Sequence, residues 1–462
     1  MKELFGTDGI RGVAGEFPLD QQAVKIIGAS LAAHLREELG RDARIVTGRD
    51  TRESGVTIES AFQEGSLGEG AECDSAGVIT TPGVAFLADS FGFDAGVVIS
   101  ASHNPYRDNG IKIFSPTGRK LGAEYERKIE ADVSRYYVEP TRPGGISFGT
   151  IATSGLEEFH NAYIDHLLEV GGGFSAAGKR IVVDCANGAS SEFAPELFRA
   201  VGAEAIAIHN TPDGRNINEN CGSTDLEHLL RAGKFRDSEL RQRVLDEKAD
   251  MGIAFDGDAD RCLFVDENGD FVDGDATLWI MARYLKSHGK LANSTVVATV
   301  MSNIGLEIAV ATEEIKLLRT GVGDKYVLDE LTKTGSEVGG EQSGHIIFPE
   351  ISLVGDGMMT ALLVLRAITE KNVSLSQATA GFTRYPQTLV NVRVREKRPF
   401  DDVPLIAASA KEIEDELDGN GRLLLRYSGT ENLARVMIEG EDQTTIESQA
   451  KRLADVIAAA LN

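Results

Sequence analysis

GVVISASHNP, residues 96–105, decides the fold: a glycine and three β-branched residues, Gly96 to Ile99, run straight into a polar loop that closes on Pro105. An apolar run without alternation reads as a strand buried on both faces. The change to Ser, His and Asn marks its carboxyl end. The same unit recurs at Ala43–Thr47 before GRDTRES, at Arg180–Val183 before DCANGAS, at Met251–Phe255 before DGDADR, and at Val296–Val300. Between these units apolar residues return at helical spacing, as Val24, Ile27, Leu31 and Leu35 do before stopping at Gly40. Strands alternating with helices predict an α/β chain with largely parallel sheets. Ligands of such sheets sit in the loops beyond the carboxyl ends of the strands.

The 462 residues exceed what one hydrophobic core organises, and three or four domains are expected. Periodicity lapses around Pro140–Thr153, Glu247–Asp250 and Thr369–Ser376, which divides the chain into segments 1–153, 154–250, 251–370 and 371–462. The last segment ends in a helix with a capping-box candidate, Thr444 with Glu447, and with Ile446, Ala450, Leu453 and Ile457 on one face. Hydrophobic residues make up 42% and charged residues 26%, the balance of a globular protein. A net charge of −25 repels phosphodiester backbones and anionic membrane surfaces, so no nucleic-acid or membrane partner is expected, and any bound phosphate must meet a local basic pocket. Cys73, Cys185, Cys221 and Cys262 form no C-x-x-C pair and read as reduced thiols. The opening MKELFGTDGIRG has no apolar signal region, and the most apolar stretch, Met358–Ile368, is short and carries Arg366. A cytoplasmic location is expected.

Three loops carry chemistry. In DGDADR the residues Asp256, Asp258 and Asp260 alternate, so an extended segment projects three carboxylates to one side, a hard-oxygen set suited to Mg²⁺. The same letters occur as a solvated acidic turn. An EF-hand reading finds Glu267 at its twelfth position but Arg261 where glycine is required, and fails. An aspartyl-phosphate phosphatase, with Asp256 as nucleophile, stays open. SASHNP displays Ser102 and His103 on a rigid strand-end loop, where a hydroxyl is open to phosphorylation, although serine-rich loops are commonly plain turns. In RYSGTEN, Arg426, Ser428 and Thr430 with Gly429 form a phosphate cradle. His345, in GGEQSGH, stands alone in sequence, and a lone histidine is more often structural. No Walker A or dinucleotide-binding glycine motif is present.

Taken in order, FGTDGIRG, GRDTR, ISASHNPYRDNGIKIF, DGDADR, GGEQSGH and RYSGTEN resemble the successive signatures of the α-D-phosphohexomutase family. The resemblance implies four domains around a central cleft, three related α/β layers and a smaller C-terminal α+β lid domain. It assigns the phosphoryl carrier, a phosphoserine, to Ser102. One Mg²⁺ per subunit falls to Asp256, Asp258 and Asp260 with the Ser102 phosphate, and Arg261 balances charge beside them. Glu341 and Ser343 match sugar contacts, whereas Arg426, Ser428, Gly429 and Thr430 match the grip on the non-reacting phosphate. Arg11, His103, Lys112 and His345 match the reacting centre, with Lys112 or His345 as base. The wording of GEQSGH and FGTDGIRG is most similar to the branch that isomerises glucosamine 6-phosphate and glucosamine 1-phosphate through a 1,6-bisphosphate, on the route to UDP-N-acetylglucosamine and cell-wall precursors. The alternative is a mannose or glucose phosphate mutase using the same machinery. Partners implied are a small phosphosugar and an activating phosphoryl donor, a kinase or a sugar bisphosphate; a homodimer stays open. Three positions depart from the family pattern: Lys325, Tyr427 and Asn432.

Overall fold

The computed structural model describes residues 4–6, 8–138, 155–428 and 432–461. Its contacts divide the chain into two compact units, residues 1–300 with 318–380, and residues 301–317 with 381–462.

Three sheets organise the first unit. The first sheet holds β1 (Phe5–Gly6), β2 (Gly9–Val13), β3 (Arg44–Arg49), β4 (Glu72–Val78), β5 (Ala95–Ile99) and β6 (Asp108–Phe114), in the order β1-β2-β6-β5-β3-β4. Helix Gln21–Leu39 packs on it, begun by the Asp20 carboxylate, which accepts the Ala23 N–H at 3.0 Å, and ended at Gly40 in the left-handed conformation (φ 67°). Its predicted stripe, Val24, Ile27, Leu31 and Leu35, lies in the core with Ile45, Phe62, Val97 and Ile99. The second sheet holds β7 (Arg180–Asp184), β8 (Glu204–Ile208), β9 (Met251–Phe255), β10 (Cys262–Asp266) and β11 (Phe271–Val272), in the order β11-β10-β9-β7-β8. The third holds β12 (Thr295–Thr299), β13 (Lys316–Thr320), β14 (Gly339–Gly340) and β15 (Ile346–Ile347), in the order β13-β12-β14-β15.

Two sequence expectations are corrected here. The sheets are mixed: β3 pairs parallel to β4 and β5, and β7 to β8 and β9, but β5–β6, β2–β6, β9–β10 and β10–β11 are antiparallel. The connections into β6 and β10 are too short for the crossover that parallel pairing requires. The break expected between 250 and 251 does not separate layers either, because β9 lies beside β7, with Val183 opposite Ile253. Apolar strands that end in polar loops look alike wherever they lie, and a β-rich restart after Glu247–Asp250 reads as a new layer when it rejoins an old one. The break expected at 153/154 lies outside the described residues.

The second unit carries the antiparallel sheet β16 (Gln387–Arg393), β17 (Arg422–Tyr427) and β18 (Leu433–Glu439), in the order β16-β18-β17. Alternation sends Val392, Ala434, Val436 and Ile438 into a core with Ile446, Ala450, Leu453 and Ile457 of helix Gln443–Leu461. That helix is capped by Asp442, whose Oδ1 accepts the Thr445 N–H at 2.7 Å, so the expected Thr444–Glu447 box is displaced by a better-placed carboxylate. All four cysteines are free and buried. Among the described residues no helix is long and apolar enough to cross a membrane.

Candidate active site

β5 ends at Ile99, and the chain turns so that Ser102 adopts a left-handed conformation (φ 51°), which costs a non-glycine residue about 1 kcal/mol. The loop is held from behind. Arg52 is buried, its Nε donating to Asp50 Oδ2 at 2.9 Å and its Nη2 to the carbonyls of Ser102 and Asn104, each at 2.9 Å. Removing one partner of a buried ion pair of this kind costs ~3–5 kcal/mol. Fixed this way, Ser102 Oγ donates to Asp256 Oδ2 at 2.6 Å, although 154 residues separate the two. Gly257 permits that approach: a Cβ there would stand 2.6 Å from the Ser102 carbonyl oxygen.

Asp256, Asp258 and Asp260 each bring a carboxylate oxygen within 4.8 Å of the others. The loop does this as a turn, not as the expected extended segment; Ala259 is left-handed (φ 56°) and its N–H reaches the Asp256 carbonyl at 3.1 Å. Lys112, on β6, stands 2.9 Å from Asp258 Oδ2, 3.3 Å from Asp260 Oδ2 and 3.2 Å from Asp8 Oδ2. Thr81 adds a second donor, Oγ1 to Asp258 Oδ2 at 2.5 Å, and its N–H bonds the Asp258 carbonyl at 3.0 Å. Oδ2 of Asp258 is therefore saturated, whereas Oδ1 of Asp258 and Oδ1 of Asp260 are buried without a protein partner. Orphaned buried carboxylate oxygens beside a third carboxylate are a donor set that a hard divalent cation satisfies.

Electrostatics sorts these groups. Burial opposes the Lys112 charge, but Asp258, Asp8 and Asp260 more than offset it and lift the ammonium well above its ordinary range. Lys112 is thus held as a cation among these carboxylates. Burial would raise Asp8, yet Lys112 and Lys120 hold it far below the usual carboxylate range. Burial, with Asp260 and Asp258 close by, pushes Asp256 up. Burial also depresses His103, to about 4, helped by Arg261 and Arg11. Its Nδ1 lies 3.4 Å from Ser102 Oγ and 3.2 Å from an Arg261 Nη1.

The other predicted residues converge unevenly. Arg11 reaches Asn104 Oδ1 at 3.3 Å and keeps a buried Nε without a partner, as does Arg261. His345 faces Asp260 through Nδ1 at 3.8 Å, and its Nε2 accepts the Gly355 N–H at 3.1 Å. Burial opposes charge on this ring and Asp260 favours it, with a net upward shift. Glu341 receives the Gly323 N–H at 3.1 Å and the Ser343 hydroxyl at 3.4 Å, so the two predicted sugar contacts touch each other.

The second unit holds Arg426 and Ser428; Gly429 and Thr430 lie outside the described residues. Arg426 pairs across the sheet with Arg435, and Arg435 with Asn391, so two guanidiniums stand side by side on the face turned away from the core. Arg435 Nε is buried without a partner, and burial with Arg435 nearby lowers the Arg426 pKa. Neither arginine has a carboxylate partner among the described residues. Tyr427, the departure from the family pattern, stacks on Phe400 with centroids 4.3 Å apart and donates to the Arg398 carbonyl at 2.5 Å, which anchors the loop's entry.

Sequence reasoning missed Thr81, Arg435 and Lys120, whose Nζ stands 2.6 Å from Asp8 Oδ1 and 2.7 Å from Asp324 Oδ2. It also left Asp8, Asp50 and Arg52 without roles although they lie in quoted motifs. A second cluster, Asp184, His209 and Cys221, is structurally committed: the Asp184 oxygens take the Ala186 and Gly222 N–H groups at 3.0 and 2.9 Å and stand 3.1 Å from the His209 ring, while burial keeps the Cys221 thiol protonated.

Mixed α/β sheets, a serine at a strand end beside three carboxylates and a small sheet domain define a phosphohexomutase-type protein. The chain matches the four domains of the phosphoglucomutase/phosphomannomutase family in order: domain I over residues 2–138, domain II over 161–269, domain III over 273–385 and the C-terminal domain over 389–456. It belongs to that family. It is 46% identical over 459 residues to the phosphoglucosamine mutase of Solibacter usitatus, covering 99% of this chain and 98% of that one. Among solved structures it is similar to a phosphoglucomutase/phosphomannomutase family protein of Burkholderia thailandensis, with TM-score 0.79 and 22% identity over 100% of this chain and 99% of that one. Another is the Aspergillus fumigatus N-acetylphosphoglucosamine mutase in complex with GlcNAc-6P and magnesium, with TM-score 0.68 and 20% identity over 99% of this chain and 96% of that one.

Proposed function

We propose that the chain interconverts glucosamine 6-phosphate and glucosamine 1-phosphate through a phosphoserine on Ser102 and a bound 1,6-bisphosphate. The carrying observation is the Ser102 hydroxyl seated 2.6 Å from Asp256 within a trio of buried carboxylates. The amino sugar is inferred from the full-length relative at 46% identity, whose name carries glucosamine.

In the first half-cycle the Ser102 Oγ–P bond breaks and a bond from P to the sugar O1 forms. The O1 proton leaves to a base and Oγ recovers a proton. The resulting Oγ–H then donates to Asp256, as the structure has it. Turning the bisphosphate and running the step in reverse on O6 returns the phosphate to Ser102. One serine thereby serves two distant hydroxyls. The base is Lys112 or His345, both set beside Asp260. Asp256, Asp258 and Asp260 would hold Mg²⁺, which when bound neutralises charge on the phosphoryl oxygens. Arg11, Arg261 and His103 surround Ser102 with donors, a preorganised environment for the same charge. Glu341 and Ser343 contact the sugar hydroxyls, and Arg426 with Ser428, Gly429 and Thr430 grips the phosphate that is not reacting. The location is cytoplasmic, and a kinase or sugar bisphosphate first loads Ser102.

Peptide mapping of purified protein is expected to find phosphate on Ser102, and Ser102→Ala to abolish nearly all turnover of glucosamine 6-phosphate. Phosphate mapped to Asp256 sinks the serine mechanism. Faster turnover of mannose or glucose 6-phosphate than of glucosamine 6-phosphate moves the substrate to the alternative branch.

A further inference from the structure

We infer that Arg52 is a positioning residue for phosphoryl transfer, holding the Ser102 backbone in the one conformation that aims Oγ at the carboxylate trio. The inference rests on the phosphoserine reading above.

The Arg52 side chain is fully buried with Asp50, and neither group reaches Ser102 Oγ. What they reach is the loop's backbone. Arg52 donates to the carbonyls of Ser102 and Asn104 at 2.9 Å and of Pro105 at 2.5 Å. Asp50 Oδ2 accepts the Ser100 hydroxyl at 2.6 Å, and the Ser100 oxygen accepts the Ser102 N–H at 2.9 Å. A single ion pair therefore grips Ser102 at both its carbonyl and, through Ser100, its amide. Asn218, from the chain beyond β8, adds a second hand with its Nδ2 donating to the same Ser102 carbonyl at 2.9 Å.

A buried ion pair is poor value as a stabiliser, since its desolvation cancels much of its attraction. What a guanidinium adds is direction: a planar fork with fixed donor angles, which a lysine's single point charge cannot reproduce. That direction is spent on a residue in a left-handed conformation (φ 51°), which the chain would leave if released. A displacement of the reacting oxygen by ~1 Å slows a positioned transfer on the order of 10²-fold. Arg52 has no exposed surface to offer a sugar. Its loss should therefore slow transfer and leave binding alone.

The test uses the full-length enzyme loaded on Ser102 and follows a single turnover with glucosamine 6-phosphate by rapid quench, beside equilibrium binding of the same sugar phosphate. Arg52→Lys is compared with Asn218→Gly, a change that glycine tolerates because Asn218 already has a φ of 57°. Glu59→Gln serves as a stability control; Glu59 is buried and its hydrogen bonds go to Thr47, Ser75 and Arg49, not to Arg52, Asn218 or the Ser102 loop. We expect transfer to fall ~10²-fold in Arg52→Lys and ~10-fold in Asn218→Gly, with sugar-phosphate affinity held within about threefold. Glu59→Gln should melt earlier yet transfer at the wild-type rate. Wild-type transfer in both loop variants overturns the inference, as does a Glu59→Gln slowed as much as they are. Should Arg52→Lys not fold, Asn218→Gly against Glu59→Gln decides alone. A wild-type protein that carries no transferable phosphate on Ser102 refutes the underlying reading instead.

Discussion

Two regions of the molecule, the carboxylate trio of the first unit and the β17–β18 face of the second, treat charge differently. In the first, Asp258 and Asp260 share a buried lysine, and Asp8 is held by Lys112 and Lys120; the chain supplies most of its own counter-charge. In the second, Arg426 and Arg435 face each other across β17 and β18, and among the described residues neither is paired with a carboxylate. Like charges directly opposite on a sheet are destabilising. A chain of net charge −25 has carboxylates to spare, yet among the described residues none is paired with these two arginines.

The largest expected effect breaks that comparison most directly. Arg426→Ala should raise KM for glucosamine 6-phosphate about 10²-fold, the ~1.5–3 kcal/mol carried by a hydrogen bond to a charged group. It should also release glucosamine 1,6-bisphosphate into solution while leaving Ser102 phosphorylated. The ligand-free protein should lose no stability, because one of two opposed cations has gone. An unchanged KM without release places the second phosphate elsewhere, and a large fall in ligand-free Tm would mean that the arginines serve the fold.

The sequence shows these two regions unequally. Ser102, the three aspartates and RYSGTEN are legible because a buried strand running into a polar loop is a local pattern. Who braces them is not local: Thr81 and Asp258 are 177 residues apart, and Lys112 and Asp258 146. Nothing near Lys112 in sequence tells of the three carboxylates that surround it. Arg435 was invisible for a related reason, since only strand register puts it opposite Arg426. The sheets repeat the lesson: the runs at Arg180–Val183 and Met251–Phe255 were legible as strands, but the pairing of β9 with β7 across the expected break at 250/251 depends on contacts that no window of sequence contains.

A smaller effect sharpens the account of the first unit. Thr81 and Lys112 both donate to Asp258 Oδ2, which leaves Oδ1 as the oxygen free to ligate. Thr81→Val keeps the shape and removes one donor, so the carboxylate gains freedom to rotate. Mg²⁺ affinity, read by calorimetric titration or by Mn²⁺ resonance on the dephosphorylated protein, should weaken ~10-fold, the usual range for a group that orients a ligand. Activity should vanish with a chelator and return at a correspondingly higher Mg²⁺ concentration. Unchanged affinity would show that Lys112 alone orients Asp258.

The smallest effect asks whether the first unit also contains a sector left positive for an anion. His103 lies beside Arg261, its Nδ1 3.4 Å from Ser102 Oγ, and burial, then Arg261, then Arg11 depress its pKa to about 4 from an ordinary 6.5. Between those two values the unfolded chain binds a proton that the folded protein refuses. Stability therefore falls as pH drops from 6.5 toward 4, by at most ~1.4 kcal/mol per pH unit, and this contribution is absent above 6.5. Denaturant melts of the dephosphorylated protein at pH 7 and pH 5 should show the loss, and His103→Gln should remove this part of it. Phosphate on Ser102 should then raise the His103 pKa, because a dianion at Oγ offsets the two guanidiniums, and an NMR titration of the ring in both forms reads that shift. A ring that titrates near 6.5 before phosphorylation would mean that the carboxylates, and not the arginines, dominate the field at Ser102.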